Sequence, residues 1–282
     1  MLEYGVVDSH VHLWDTVPPF DKRPNHFGVH GRPKEFIEAC GKVPVAKIVH
    51  MEFGRGIDTY MPEIELMEKL AEEDSRLAAM VAWAPLSHGY DTAARALDEI
   101  ALHPIVRGIR QAHFFDPDGM AYTTKDMIDG VRLLKQYGLS FALGTSFNQD
   151  GGVIKFLDMV GDDIPFVLDH MGKPPVQQKL FDKWARDMEA IEKHKNVSIK
   201  LSSIATEAAG PDWTFDEIAP YVRYSVELFG WDRVMYGSDW PVSTRNSNPE
   251  RQMETLLEIL KDATAEQLHK LFVDNTSKLY GI

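Results

Sequence analysis

The 282-residue chain has a single cysteine, Cys40, so it cannot form an intrachain disulfide. It has no apolar run approaching the roughly 20 residues of a membrane-spanning helix. Basic residues are also few, with 30 lysines and arginines against 43 aspartates and glutamates and a net charge of −13. These absences argue against a disulfide scaffold, a membrane protein and a nucleic-acid binder. The first residues lack the succession of a signal peptide, so we expect a cytoplasmic protein.

Eight short apolar segments recur along the chain, each followed by a polar or glycine-rich stretch and then a helical pattern. They begin at Tyr4, Val45, Leu77, Ile105, Leu139, Ile164, Asn196 and Asp232. Several are apolar on both faces, as parallel strands covered by helices are. Helical patterns run from Asp58 and from Thr214 to a C-cap at Gly230, and Thr264 with Gln267 fits a capping box. Eight such units predict an α/β fold. We expect one domain, a (β/α)8 TIM barrel over residues 1–282, and the alternative is an open eight-stranded sheet.

Residues 15–44 break the βα spacing. The segment is rich in proline and glycine and carries two histidines. It is too long for a tight βα turn, and long loops in compact domains are often lids or binding loops. A lid over the site and a plain surface excursion both remain open.

Two histidines one residue apart follow the first apolar run, in DSHVHLW at residues 8–14. Side chains at i and i+2 of a strand share a face, so His10 and His12 point together. On the first strand of a barrel they lie near the mouth, the end where the strand carboxyl termini meet and where active sites are built. Two converging imidazoles suit a divalent metal, but they could equally hold a water or an oxyanion.

Two other strand ends carry residues of the same chemistry. The sixth apolar segment closes with VLDHMGKP, which contains His170, and the eighth closes with MYGSDWP, which contains Asp239. Because parallel strand ends meet at one mouth, we expect these two residues to converge with His10 and His12.

Several motifs together resemble the amidohydrolase superfamily. They are DSHVHLWD, VRGIRQ, FVLDHMGKP, IKLSS, FGWDRVMYGSDWPV and NTSKLYGI. The chain is most similar to the branch of amidohydrolase-related lactonases and decarboxylases, in particular the sugar-lactone, muconolactone-type and 2-pyrone-4,6-dicarboxylate lactonases. This resemblance implies a distorted TIM barrel with hydrolysis at its mouth. It matches His10 and His12 to the first-strand pair, His170 to the sixth-strand histidine and Asp239 to the eighth-strand aspartate.

The chain departs from the superfamily pattern at two positions. The fourth strand ends in IRQAHFF, without the bridging lysine or glutamate, and the fifth, FALGTSF, has no histidine. A binuclear centre is therefore not expected. Two alternatives stay open: one divalent ion, zinc or manganese, with His10, His12, His170 and Asp239 as candidate ligands, or no metal.

The same residues supply what lactone hydrolysis needs. Asp239 is the candidate general base that activates water, because a carboxylate beside histidines or a metal can hold a water and take its proton. Without a metal, His10, His12 and His170 could donate hydrogen bonds to the tetrahedral oxyanion.

Six further residues are candidates for substrate binding. Arg110 could hold a carboxylate in a bidentate pair, or belong to a buried ion pair. His113, on the opposite face of the fourth strand, is a weaker candidate. Lys173 follows His170, and Lys200 on the seventh strand raises the same choice between substrate and ion pair. His50 and Glu52 alternate in HME, so period two predicts that they share a face, either at the mouth or as a structural pair.

The leading hypothesis is a lactonase that opens a carboxylated or sugar-derived lactone. A non-oxidative decarboxylase of the same superfamily is second, and the missing fifth-strand histidine counts against it. A barrel that binds a ligand without chemistry is third. The expected partner is a small, anionic molecule, and a homo-oligomer is also open.

Overall fold

The computed structural model describes residues 2–14, 31–54, 56–113 and 116–282. Half of the segment proposed as a lid, residues 15–30, lies outside the described residues. Its described part, residues 31–44, contains a short helix, Pro33–Ala39, and leads into the second strand.

Eight parallel strands form one sheet in the order of the sequence. They are β1 Val6–Val11, β2 Val45–Met51, β3 Leu77–Ala82, β4 Val106–Ile109, β5 Ser140–Leu143, β6 Phe166–Leu168, β7 Val197–Ser202 and β8 Val234–Gly237. β8 returns to β1 through a parallel bridge between Val11 and Trp240. The backbone N–H of Asp239 also donates to the carbonyl of His10 at 2.8 Å. The predicted barrel, and each of its eight strands, is confirmed.

Helices alternate with the strands and cover the outside of the sheet. They are α1 Pro33–Ala39, α2 Tyr60–Glu73, α3 Tyr90–Ile100, α4 Lys125–Tyr137, α5 Asp150–Val160, α6 Phe181–Glu192, α7 Phe215–Phe229, α8 Pro249–Ile259, α9 Ala265–His269 and α10 Asn275–Tyr280. The predicted capping box of Thr264 with Gln267 is present, and so is the C-cap at Gly230. None of the described helices combines the length and apolarity that crossing a membrane requires.

The inner face of the barrel is apolar at its lower end. Val49 and Met51 of β2 form a cluster with alternate residues of β3 and β5, and with Tyr280 from α10. The opposite faces of these strands pack in the main core beneath the helices. The small side chains of Ala79 and Ala142 leave room for the buried Tyr280 ring. The last helix, α10, therefore covers the end of the barrel opposite the mouth.

A buried acid lies outside the barrel, at the start of α5. The carboxyl group of Asp150 packs beside Gly172, and neither of its oxygens has a hydrogen-bond partner among the described residues. Burial, reinforced by Asp187, raises the pKa of Asp150 well above its usual range. The native state therefore binds this proton more tightly than the unfolded state does, and its stability falls as pH rises above about 4.

We expect Asp150→Asn to raise the free energy of unfolding at neutral pH, because asparagine has no carboxyl group to ionise on unfolding. The gain should be small near pH 4 and should grow by up to about 1.4 kcal/mol per pH unit until the native pKa is passed. Urea denaturation of both proteins at pH 5 and pH 8 measures it. An equal difference at the two pH values would contradict this account of Asp150.

Candidate active site at the mouth of the barrel

Three histidines and one aspartate meet at the carboxyl ends of β1, β6 and β8. We call His10, His12, His170 and Asp239 the mouth site; all four are buried. Nε2 of His10 lies 3.4 Å from Oδ1 of Asp239, and Nε2 of His12 lies 3.5 Å from the same oxygen. Nε2 of His170 lies 3.9 Å from Oδ2. The convergence expected from the strand ends is therefore present.

Unusual backbone conformations turn several of these side chains into the mouth. His170, Ser203 and Asp239, which follow β6, β7 and β8, have φ values of 56°, 52° and 54°. This left-handed region costs a non-glycine residue on the order of 1–3 kcal/mol, and such residues cluster at functional sites. Ser203 uses its position to donate a hydrogen bond to Oδ2 of Asp239 at 2.7 Å.

The Nδ1 atoms of His12 and His170 contact groups other than Asp239. Nδ1 of His12 lies 3.0 Å from the carbonyl oxygen of Met51, and Nδ1 of His170 lies 2.7 Å from Oγ of Ser202. Contacts of this kind fix the ring orientation of a histidine and are typical around metal ligands. They leave the Nε2 atoms facing one carboxylate.

Burial controls the charges of the mouth site. It lowers the pKa of His170 to about 4 and that of His10 well below its usual range, so both imidazoles are neutral near pH 7. Burial alone would raise the pKa of Asp239, but His170, His12 and His10 outweigh it and hold that pKa below its usual range. The mouth site thus combines an ionised carboxylate with the neutral imidazoles of His10 and His170.

This donor set fits a divalent metal. His10, His170 and Asp239 each offer a ligand atom within 4.8 Å of the others. The Nε2 atoms of His10 and His12 are 3.3 Å apart. That spacing, and the 3.4 and 3.5 Å to Oδ1 of Asp239, approach the edge of a tetrahedron with zinc bonds of about 2.0–2.1 Å. Oδ1 of Asp239 is buried and has no hydrogen-bond partner within the described part of the chain.

A buried cluster of four charges lies directly below. Its members are Glu52, Arg110, Asp169 and Lys200, each at most 1% exposed. Nε of Arg110 donates to Glu52 at 2.8 Å, and Nη1 donates to Oδ2 of Asp169 at 2.9 Å. Nζ of Lys200 lies 3.0 Å from Oδ1 of Asp169. Two cations and two anions make this four-charge cluster neutral, as buried charges require.

The four-charge cluster contains the buried ion pairs that were one of the two expectations for Arg110 and Lys200. Glu52 is a partner of Arg110. A role for Arg110 or Lys200 in binding a substrate carboxylate stays a prediction.

His50 and Glu52 do not share a face, so that prediction is wrong. Nε2 of His50 donates to Oε1 of Glu63 on α2 at 3.0 Å, while its Nδ1 accepts from the backbone of Leu13 at 3.0 Å. Glu52 instead reaches Arg110 inside the barrel. Glu52 lies one residue past the end of β2 at Met51, where strand alternation does not have to continue, and Arg110 is its charged partner there.

Neither His113 nor Lys173 is one of the four side chains that converge at the mouth site, although the backbone N–H of Lys173 donates to the carbonyl of His170 at 2.9 Å. The His113 ring packs edge-on against Tyr122 at 5.0 Å, and its buried Nε2 has no hydrogen-bond partner among the described residues. Lys173 is partly exposed, and its Nζ lies 3.9 Å from Glu207. A role for either residue in substrate binding stays a prediction.

Sequence reasoning passed over three residues that touch the mouth site, namely Asp169, Ser202 and Ser203. Asp169 precedes His170, and its Oδ1 lies 3.4 Å from Nδ1 of His10. Ser203 follows β7 and contacts Asp239. An acid directly before the strand-six histidine was a usable signal for Asp169. The serine pair in IKLSS gave no sign that both hydroxyls would contact the mouth site, Ser202 at His170 and Ser203 at Asp239.

The model of the amidohydrolase family matches residues 7–282. L-fucono-1,5-lactonase of Burkholderia ambifaria is 27% identical over 251 residues, which cover 84% of this chain and 80% of that protein. An amidohydrolase from Burkholderia multivorans, solved with bound zinc, has a TM-score of 0.84 at 21% identity over 99% of this chain and 100% of that one. For 5-carboxyvanillate decarboxylase from Novosphingobium aromaticivorans, complexed with manganese, the TM-score is 0.71 at 11% identity, with coverages of 99% and 97%. At these identities the structures share the fold, so the reaction has to be argued from the site.

Proposed function

The chain belongs to the amidohydrolase family, and from this we propose that it is a hydrolase that opens a lactone of a sugar acid or dicarboxylate. The observation that carries the proposal is the environment of Asp239. Its Oδ1 is buried, lacks a hydrogen-bond partner among the described residues, and faces the Nε2 atoms of His10 and His12. An ionised carboxylate so placed can take a proton from a water at the mouth. The similarity to a lactonase across most of the chain supports this choice of substrate class.

The reaction needs one proton to move twice. Asp239 takes a proton from the water as the water oxygen bonds to the lactone carbonyl carbon. The carbonyl oxygen becomes an oxyanion, which an N–H group of the neutral His10 or His170 imidazole stabilises. When the bond to the ring oxygen breaks, Asp239 returns the proton to that oxygen. The product is a hydroxy acid, and the carboxylate of Asp239 is restored.

The mouth site also fits a metal, which His10, His12, His170 and Asp239 would hold. A divalent ion would supply Lewis acidity, which makes water more acidic and polarises a carbonyl. Zinc and manganese are the candidates, because similar structures contain them. Elemental analysis of protein purified without added metal or chelator, with activity measured before and after chelation, separates the two forms of the proposal. One ion per chain with activity lost on chelation supports the metal form; no ion with activity intact supports the metal-free form.

A panel of lactones tests the function itself. Aldono-1,5-lactones, aldono-1,4-lactones and carboxylated lactones are supplied to the wild type, and acid release is followed with a pH indicator. We expect turnover of at least one class. Activity on none of them would overturn the lactonase proposal and favour a ligand-binding barrel.

A decarboxylase is the second candidate, because a decarboxylase shares the fold. The same assays distinguish it when carbon dioxide release is measured from hydroxybenzoate-type acids. Carbon dioxide release without lactone opening would make the decarboxylase the better description.

Ser203 should position Asp239 without taking part in the chemistry. We expect Ser203→Ala to lower kcat about tenfold to a hundredfold, since a hydrogen bond to a charged group contributes about 1.5–3 kcal/mol. KM should change little, because the lost contact is to Asp239 and not to substrate. Steady-state kinetics check this, with Ser203→Asn, which keeps a hydrogen-bond donor and tolerates the left-handed backbone, as the control. Equal losses in both variants would point to a packing effect instead.

A further inference from the structure

His170 lies on a turn of left-handed backbone. The four residues from His170 to Lys173 have φ values of 56°, 54°, 66° and 50°, and only Gly172 among them lacks a side chain. The N–H of Lys173 donates to the carbonyl of His170 at 2.9 Å and closes the turn. In this region Cβ crowds the following carbonyl oxygen, so residues other than glycine visit it singly and not in runs. The left-handed turn, residues 170–173, therefore needs support from outside itself.

The sequence leaves one carbonyl of the left-handed turn without a local partner. In a helical turn the carbonyl of Met171 would accept from the backbone nitrogen three or four residues later, but those residues are Pro174 and Pro175, which have no N–H. Met171 is only 1% exposed, and a buried carbonyl needs a donor. Nε1 of Trp184, on α6, supplies that donor at 2.8 Å.

The packing around Trp184 makes it a firm anchor. Its side chain is fully buried, and its ring packs against those of Tyr221, Phe181 and Tyr224, with centroids 5.1, 5.6 and 5.8 Å away. These four aromatic residues belong to α6 and α7, which cover the outside of the sheet. The indole N–H thus reaches the left-handed turn from a part of the core that is separate from the mouth site.

The left-handed turn sets the direction of the His170 side chain. β6 ends at Leu168, two residues before His170, whereas His10 lies inside β1. The ring centroids of His170 and His10 are 4.4 Å apart, and Nε2 of His170 lies 3.9 Å from Oδ2 of Asp239. A return of His170 to the ordinary right-handed region would change its φ by roughly 120°. Such a change would carry the imidazole out of the mouth site.

We propose that Trp184 is a positioning residue for His170. Its indole N–H holds the carbonyl of Met171, and with it the left-handed turn that directs the imidazole to Asp239. Ser202 contacts the ring at Nδ1, and Trp184 fixes the backbone that carries the ring. The inference rests on the mouth site of the proposed function but not on lactone hydrolysis.

Proton NMR of the protein, prepared with chelator, tests the position of His170 without any substrate. In the wild type the rings of His10 and His170 are close enough for a nuclear Overhauser contact, which is assigned by its loss in His10→Asn and in His170→Asn. We expect Trp184→Phe, which keeps an aromatic ring but has no N–H, to lose this contact. Trp213→Phe is the matched control, because it removes an equal bond of 2.8 Å from a buried indole, here to the carbonyl of Asn246. It should keep the contact. Retention of the contact in Trp184→Phe, or its loss in both variants, would overturn the proposal.

Amide hydrogen exchange of Lys173 tests the left-handed turn itself, because this N–H closes the turn onto His170. It should exchange up to about tenfold faster in Trp184→Phe, as expected for the loss of one supporting hydrogen bond, and at the wild-type rate in Trp213→Phe. If Trp184→Phe does not fold, 3-benzothienylalanine at position 184 takes its place in both measurements, since it has the shape of tryptophan with sulfur instead of the N–H. An unchanged exchange rate in the folded variant would contradict the proposal. Neither measurement involves a substrate, so failure here is distinct from failure of the lactonase proposal.

Discussion

Asp239→Asn should reduce lactone hydrolysis by about 10²–10⁴-fold, the contribution of a positioned general base. Asparagine has the size of aspartate, and its amide oxygen can still accept the hydrogen bond from Ser203, now 2.7 Å from Oδ2. What it lacks is a site for the proton of the attacking water. The fold and the affinity for a lactone or its product acid should therefore persist. Steady-state kinetics and calorimetric titration with the product acid measure the two effects.

The matched control is Asp150→Asn, the same chemical change at another buried aspartate. Asp150 lies outside the barrel and is not among the residues proposed to act on substrate, so its variant should retain wild-type turnover. If Asp239→Asn hydrolyses lactones within a few-fold of the wild type, Asp239 is not the base. If it loses ligand binding together with turnover, the residue binds substrate instead.

Arg110→Met should be the most destabilising of the substitutions considered, costing about 3–5 kcal/mol of unfolding free energy. The methionine fills much of the same space but leaves Glu52 and one oxygen of Asp169 buried without their cation. Removing one member of a buried ion pair is costly because the remaining charge has lost its compensation. Because Asp169 also contacts His10, we expect turnover to fall in the fraction of protein that stays folded.

Urea denaturation of Arg110→Met and of Arg107→Met provides the comparison. Arg107 lies on β4 three residues before Arg110, and its side chain is exposed. Its loss should change the unfolding free energy by no more than about 0.5 kcal/mol, as surface substitutions usually do. Similar small changes in both variants would show that the four-charge cluster contributes little to stability.

The sequence predicted the architecture because the barrel repeats a local pattern. Each apolar segment became a strand, and helix ends followed side-chain chemistry, as at Thr264 with Gln267 and at Gly230. The mouth site was predictable for a similar reason. Parallel strands bring their carboxyl ends together, so His170 and Asp239 had to approach the β1 histidines.

The predictions failed where contacts cross the barrel or follow a strand end. Glu52 lies one residue beyond β2, where strand alternation does not have to continue, and its partner is Arg110 and not His50. The carboxylates that neutralise Arg110 come from strands distant in sequence. Ser203 turns toward Asp239 through a left-handed backbone conformation that sequence pattern does not encode.

Hydrolysis in ¹⁸O-labelled water is the most direct test of the central claim that water activated at Asp239 attacks the lactone carbonyl. A single turnover by the wild type should place one labelled oxygen in the carboxylate of the product and none in the new hydroxyl group. Asp239→Asn should form this product at least a hundredfold more slowly, in line with the loss of a general base. Label in the hydroxyl group, or equal rates of labelling in the two proteins, would contradict the account.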